Sequence, residues 1–217
     1  MSQDLRHVSD TDAPPARQRR PKRTEVRARL IAGAMEAFSI KGFAGSSIDF
    51  ICARAGFSRG AFYSNFEDKE ALFFALYDQR INRLYDRLGK IADLVKSADD
   101  PWGTVALHLR DPDPDELRWD ILNKEFIVHA LRNDAARARL LESRAGSKAR
   151  LAEILVSLDP GFASDKAQLD RLCRMIIALH EGELTQLGLD PGQGNAPSLL
   201  SEFLPLVLAG IAARNRA

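Results

Sequence analysis

The chain has 217 residues, of which 45% are hydrophobic and 28% are charged, and its formal net charge is +1. This composition suits one or two globular domains that bury a substantial core. The first twenty residues contain no apolar segment typical of a signal peptide. The most apolar stretch, residues 199–213, is too short to span a membrane. We therefore expect a cytoplasmic protein without membrane association.

Charge is distributed unevenly along the chain. Residues 17–69 contain eleven Lys and Arg against five Asp and Glu, a local net charge of +6, whereas residues 70–217 contain nineteen against twenty-two, a local −3. A basic module joined to a mildly acidic one favours a nucleic-acid contact confined to one end. Cys52 and Cys173 lie far apart on apolar helix faces, which predicts two buried thiols in a reducing compartment.

The N-terminus begins with a polar segment that we expect to form a disordered tail over residues 1–23. Its last seven residues, RQRRPKR, include five basic side chains. This run is either a solvated arm or a segment that follows the DNA backbone or enters its minor groove. The first helix follows, with Thr24 as its predicted cap and Gly42 at its end.

Residues 46–69 contain the pattern of two short helices that meet at a tight turn. Ser46 is the predicted cap of the first helix, with Asp49 as its capping-box partner. Gly56 supplies the left-handed conformation that ends this helix, and Ser58 caps the second helix. Such a pair predicts a helix-turn-helix whose second helix enters the major groove. The alternative is an ordinary helical pair inside an all-α core.

The second helix is predicted to leave a small polar face free. Phe62 and Phe66 stack at i, i+4 and face the core. At about 100° per residue, Gly60 and Ser64 therefore lie on the opposite side, flanked by Ala61 and Tyr63. Arg59 lies in the first turn, where docked recognition helices contact bases or phosphates. This face suits a close approach to a groove.

From Thr24 to Leu76 the chain resembles the N-terminal domain of the TetR/AcrR repressors at many positions that occur in the same order. They are Gly42-Phe43, Ser46-Ser47-Ile48, Ile51, Ala55-Gly56-Phe57-Ser58-Arg59-Gly60, Phe62-Tyr63, Asn65-Phe66 and Lys69-Glu70-Ala71-Leu72. The resemblance implies an all-α homodimer that binds a palindromic operator and is released by a small ligand. It also implies a DNA-binding set of Ser46, Ser47, Arg59, Gly60, Ala61, Tyr63, Ser64, Asn65 and Lys69. In that set, Ser47, Tyr63 and Lys69 contact phosphates. The chain departs from the family at Ser46-Ser47, where a Thr pair is commoner, and at Asn65, where His or Tyr is frequent.

Downstream, the apolar pattern predicts helices to the end of the chain. One helix begins at Asp68 and extends to Arg83 or beyond, and its pattern continues over residues 85–96. Further helices are predicted over residues 101–110, from Asp115, from Asn133 to Leu158, after Ser164 and after Pro197. We therefore expect an all-α fold with a tail at residues 1–23, a three-helix DNA-binding domain at residues 24–84, and a helical ligand-binding and dimerisation domain at residues 85–217.

The C-terminal part offers candidates for a ligand pocket and a dimer interface. An apolar cavity with aromatic walls is predicted to be lined by Trp102, Trp119, Phe126, His129 and Met175. These residues are equally compatible with an ordinary core. The last two helices carry more apolar surface than one small core needs, so we expect a four-helix dimer interface that includes Leu172, Ile176, Leu184 and Leu206. The alternative is that both helices only complete the core.

The sequence contains no phosphate-binding glycine loop, no Cys/His cluster with metal-ligand spacing and no nucleophile elbow. We therefore expect neither a cofactor nor enzymatic activity. The leading hypothesis is a repressor released from operator DNA by a small apolar molecule. The alternative is a helical DNA-binding regulator that lacks a small ligand and is controlled by a protein partner. A large apolar cavity distinguishes the first hypothesis from the second.

Overall fold

The computed structural model describes residues 21–108, 114–190, 192 and 198–216, except for the side chains of Trp102, Ala106, Pro114 and Arg216. The described residues form an all-α fold with one short 3-10 helix. Most of the predicted N-terminal tail, residues 1–20, lies outside them. The helices are α1 (Arg23–Gly45), α2 (Ile48–Ala55), α3 (Arg59–Tyr63), α4 (Lys69–Lys96), α5 (Pro101–His108), α6 (Pro114–Ala130), α7 (Asp134–Leu158), the 3-10 helix (Pro160–Ser164), α8 (Lys166–Leu189) and α9 (Leu199–Arg216).

Capping side chains set the starts of the short helices. Ser58 accepts a hydrogen bond from the backbone N–H of Ala61 at the start of α3, and Asp68 accepts one from Ala71 at the start of α4. Both caps agree with the sequence prediction. Gly56, at φ 71°, ends α2 in the left-handed conformation, as expected for a residue without a Cβ.

Three predicted caps are wrong by one or two residues. The cap of α2 is Ser47, whose Oγ accepts from the N–H of Phe50, and not Ser46. The cap of α8 is Asp165 rather than Ser164. Helix α1 begins at Arg23, so Thr24 lies inside its first turn. At α2 and α8, neighbouring hydroxyl and carboxylate side chains have similar capping tendencies, so the local pattern does not select between them.

The buried side chains form two main clusters along α4. The first joins α1–α3 to the N-terminal part of α4 and includes Leu30, Phe62 and Phe73, each 0% exposed. The second joins Tyr85 of α4 to α7, α8 and α9. Helix α4 runs without interruption through both, so the predicted domain boundary between residues 84 and 85 lies inside this helix. Both cysteines are buried, as predicted.

Helix α6 connects the two parts by packing against α1 and α4. The ring of Phe126 is stacked on that of Phe73, with 3.7 Å between centroids, and meets Phe43 edge-on at 5.0 Å. A carboxylate oxygen of Glu125 accepts a 2.6 Å hydrogen bond from the N–H of Phe43. Gly42, at φ 69°, allows this approach, because a Cβ there would lie 2.5 Å from the same carboxylate. The end of α1 is therefore fixed to α6.

None of the helices within the described ranges is long and apolar enough to cross a membrane.

Candidate nucleic-acid interface

Helix α3 is held in place by packing on one side. Phe62 is fully buried and Phe66 is 5% exposed, and their ring centroids lie 5.9 Å apart. A five-residue helix has too few internal hydrogen bonds to be stable alone, so this aromatic pair anchors it. The Arg23 guanidinium also donates to the carbonyl of Ser64 at 3.2 Å, which ties the end of α3 to the start of α1.

The opposite side of α3 is exposed, as the helical wheel predicted. Arg59, Gly60, Tyr63 and Ser64 are all exposed, while Ala61 is half-buried. Tyr63 is 51% exposed although it is a large aromatic residue. A Cβ built on Gly60 would meet only the Ser58 Oγ, at 3.8 Å, which is an ordinary contact. Nothing within the chain therefore requires a glycine at this position.

Arg59 is oriented by two neighbouring side chains. Its guanidinium donates to Asp49 Oδ2 at 3.0 Å and to the Tyr63 hydroxyl at 3.5 Å. The Tyr63 hydrogen bond, followed by the Asp49 carboxylate, raises the pKa of Arg59 further above its already high value. Asp49 had been assigned to a capping box, so sequence analysis missed its role in positioning Arg59. The i, i+10 separation across the turn gives no periodic signal for this contact.

Ser46 lies in the core and not on the DNA-facing surface. It is 1% exposed, and its hydroxyl lies within hydrogen-bond distance of the carbonyls of Ala37 and Gly42. This geometry contradicts the prediction that Ser46 contacts DNA. Ser47, in contrast, is exposed at the N-terminus of α2, where backbone N–H groups and the helix dipole favour a phosphate.

Lys69 is also occupied by contacts within the chain. Its ammonium donates to the carbonyls of Phe43 at 2.7 Å, Ser46 at 3.0 Å and Ala44 at 3.3 Å. An ammonium has three donors, so these carbonyls use all of them. Burial lowers the pKa of Lys69, although neighbouring Glu70 opposes the shift. In this structure Lys69 caps the C-terminal end of α1 instead of facing solvent for a phosphate contact.

Asn65 is half-buried beside α3. Its side-chain amide donates to the carbonyl of Ala61 at 2.8 Å, and its Oδ1 is buried without a hydrogen-bond partner. The exposed DNA-binding candidates are therefore Ser47, Arg59, Gly60, Tyr63 and Ser64, with Ala61 partly accessible.

A cavity of about 190 Å³ lies in the C-terminal part, between α4, α6, α7 and α8. Trp119 lines it, but the other predicted pocket residues with described side chains do not. Phe126 is 0% exposed within the aromatic cluster, and His129 Nε2 lies 2.8 Å from the Glu70 carboxylate. Met175 is 38% exposed, and the side chain of Trp102 falls outside the described residues. Of the predicted pocket residues with described side chains, Trp119 lines this cavity and Phe126, His129 and Met175 do not.

The predicted dimer residues are mostly internal. Leu172 is 4% exposed, Ile176 9% and Leu184 6%, and all three face the core of their own chain. Leu206 is 68% exposed on α9, near Phe203 at 46%. The apolar stripe of α8 is thus used inside the chain, and the exposed apolar side chains of this region include Met175, Phe203 and Leu206.

The same N-terminal region matches known protein families. Residues 30–76 match the family model of bacterial regulatory proteins of the tetR family. The chain is similar to the HTH-type transcriptional regulator YdgC of Bacillus subtilis, itself uncharacterized, with 36% identity over 70 residues that span 31% of this chain and 36% of YdgC. It is also similar to the HTH-type transcriptional repressor AcnR of Corynebacterium glutamicum, with 29% identity over 128 residues that span 55% of this chain and 66% of AcnR. The chain thus covers less than two thirds of either relative.

The whole fold also resembles solved structures. A protein from Mesorhizobium loti described as a TetR-family transcriptional regulator superposes with a TM-score of 0.65 at 19% identity, covering 90% of this chain and 98% of that protein. Because the superposition covers 90% of this chain, the similarity in fold extends beyond the helix-turn-helix to the C-terminal helices.

Proposed function

We propose that this chain, whose residues 30–76 match the family model of bacterial regulatory proteins of the tetR family, regulates transcription by binding double-stranded operator DNA through α3. The observation that carries the proposal is the exposed face of Arg59, Gly60, Tyr63 and Ser64. It combines an oriented guanidinium with a glycine that the fold itself does not need. A groove floor that approaches the backbone closely explains both features.

The proposal includes a homodimer formed through α8 and α9. Met175, Phe203 and Leu206 leave apolar surface on these helices, and a twofold interface places the same patch of each subunit against its copy. Two α3 helices then read two half-sites about 34–36 Å apart, which is one turn of DNA. The operator is accordingly a palindrome.

We further propose a repressor that a small molecule releases from DNA. The cavity is lined by Tyr77, Ile81 and Tyr85 of α4, and the same helix begins beside α3 at Lys69. A ligand shifts the equilibrium only if it prefers one of two conformations. A ligand that moves α4 changes the position of α3 in each subunit. We favour this mechanism over control by a protein partner because the cavity adjoins α4, although the cavity is smaller and more polar than a purely apolar ligand pocket.

The experiment is a titration of labelled DNA taken from beside the gene, with footprinting to locate the site. Wild-type protein is expected to protect a palindrome, and Arg59→Ala to bind it more weakly. Arg118→Ala, which changes an exposed arginine of α6, provides the matched control for loss of one positive charge. Equal weakening by both variants would contradict the assignment of Arg59, since only a general charge effect would remain.

A further inference from the structure

The cavity between α4, α6, α7 and α8 is small and has a mixed wall. Its volume of about 190 Å³ is below the roughly 300–1,000 Å³ typical of sites for drug-sized ligands. Ile81, Leu84, Trp119, Ile177 and Leu184 form an apolar part of the lining. Four arginines and three carboxylates also line it, together with Asn123 and His180. A compact ligand with both an apolar body and a polar group matches this wall.

The carboxylates of the lining are already neutralised by basic partners. Glu116 pairs with Arg87 at 2.7 Å, Glu181 pairs with Arg144, and Asp120 pairs with Lys124. Asp120 is 4% exposed, so it depends on Lys124 to offset the cost of burying its charge. A cationic ligand would have to displace one of these partners.

Two lining arginines are not neutralised in the same way. The side chain of Arg80 is 14% exposed, and its ion pair with Asp115 measures 3.6 Å, beyond hydrogen-bond reach. Arg83, one turn along α4, has no carboxylate within 4.0 Å among the residues that the structure describes. A guanidinium carries five N–H donors in a planar fork that matches a carboxylate. The cavity therefore has a surplus of positive charge and unused donors on its α4 side.

Asn123 adds an unpaired polar group to the same wall. This residue is 8% exposed, and its Oδ1 is buried with no hydrogen-bond partner in the described part of the chain. The large majority of buried side-chain polar atoms in proteins have a hydrogen-bond partner. An unpaired one lowers the stability of the fold by about 1–3 kcal/mol. Asn123 lines the cavity from α6, across from the arginines on α4.

We infer that the cavity binds a compact organic carboxylate, with the carboxylate at Arg80 and Arg83 and the apolar body against Trp119 and Leu184. As a statement about regulation, this inference rests on the proposed function. It differs from the sequence-based expectation of a small apolar effector, which leaves the arginines without a role. An inorganic anion matches the arginines alone and leaves the apolar wall uncovered.

The test uses ligands of nearly equal shape that differ in charge. Benzoate, benzamide and benzamidine share one ring and carry an anionic, a neutral and a cationic group, and inorganic phosphate provides an anion without an apolar body. Calorimetric titration of the full-length protein is expected to show benzoate binding at least about tenfold more tightly than benzamide, the factor that 1.4 kcal/mol produces. Benzamidine and phosphate are expected to bind more weakly than benzoate.

Three variants locate the binding. Arg80→Gln is expected to weaken benzoate binding about tenfold or more while changing benzamide binding little. Arg83 is exposed, so its substitution does not disturb the core. Arg83→Gln is likewise expected to weaken the binding of benzoate. Arg118→Gln removes an arginine from the outer side of α6 and is expected to bind benzoate as wild type does. Equal binding of the three ring compounds, preference for benzamidine, or no binding at millimolar concentration would overturn the inference.

The outcome is separable from that of the proposed function. Operator binding is measured in parallel on protein without ligand. If benzoate binds with the expected variant pattern and the protein binds no DNA, the regulatory function fails while the carboxylate site stands. If the protein binds its operator and benzoate shows no preference over benzamidine, the carboxylate site fails and the regulator stands.

Discussion

Replacing Gly60 with alanine separates a requirement of the fold from a requirement of DNA binding. The new methyl group meets only the Ser58 Oγ at 3.8 Å, and Gly60 does not have a positive φ. A glycine in a helix costs about 0.5–1 kcal/mol relative to alanine. Gly60→Ala is therefore expected to leave the fold intact and to raise the free energy of unfolding by up to about 1 kcal/mol.

Operator affinity is expected to change in the opposite direction. If the α3 backbone approaches the groove floor, the added methyl group is overpacked, which costs about 1–3 kcal/mol in a close-packed contact. This corresponds to roughly 5- to 150-fold weaker binding. Titration of labelled operator measures the affinity, and urea unfolding measures stability on the same preparations.

Gly146→Ala is the matched control. Gly146 is an exposed glycine within α7, and a Cβ there would have nothing within 4 Å. This variant is expected to gain similar stability and to bind operator as wild type does. If Gly60→Ala also binds operator with wild-type affinity, the backbone of α3 does not approach the groove closely. The proposed role of Gly60 on the exposed face of α3 would then be refuted.

Four further outcomes follow from individual contacts. Arg59→Ala is expected to weaken operator binding by about 1–3 kcal/mol, the size of a strong polar contact, as measured by titration. Lys69→Met leaves three carbonyls without their donor, so urea unfolding should show a loss of about 1–3 kcal/mol. The dependence of operator affinity on salt concentration is expected to be the same for Lys69→Met as for wild type. A slope of log K against log salt concentration that is smaller by about one would instead indicate that Lys69 contacts a phosphate. Leu206→Asp is expected to give folded monomers by sedimentation, whereas Ile176→Asp, inside the chain's own core, should unfold it. Burial raises the pKa of Tyr85 to about 12. The unfolded chain thus loses the phenolic proton first, near its ordinary value of about 10, and stability falls as pH rises from there to about 12. In unfolding experiments at different pH values, the free energy of unfolding of Tyr85→Phe should therefore fall less steeply between about pH 10 and 12 than that of wild type.

Local signals predicted the helix-turn-helix well. Gly56, Ser58 and Asp68 act at their own helix ends, so their roles depend on residues within three positions and are visible in the sequence. The exposed face of α3 follows from the 3.6-residue period once Phe62 and Phe66 are placed in the core. These features need no knowledge of distant contacts.

Contacts between distant residues explain what the sequence did not reveal. Lys69 meets carbonyls 23 to 26 residues away, and Glu125 meets Phe43 across 82 residues, so neither partner was visible in a local pattern. Phe126 belongs to the joint between α1, α4 and α6 because Phe43 and Phe73 contact its ring there. An apolar aromatic residue has the same periodicity whether it faces a cavity or a core.

Three of the four predicted dimer residues, Leu172, Ile176 and Leu184, lie in the chain's own core for a related reason. An apolar stripe indicates a covered helix face but does not say what covers it. In α8 the stripe that contains Leu172, Ile176 and Leu184 packs inside the chain. The cavity wall likewise combines side chains from four helices, so the pattern of any one helix does not identify its lining.

The most direct test of the account is a footprint on the DNA beside the gene, made with wild-type protein, Gly60→Ala and Gly146→Ala. We expect wild type and Gly146→Ala to protect a palindrome with half-sites about 34–36 Å apart, and Gly60→Ala to lose this protection at the same concentration. Protection of no palindrome by the wild-type protein, or equal protection by Gly60→Ala, would contradict recognition of DNA through α3.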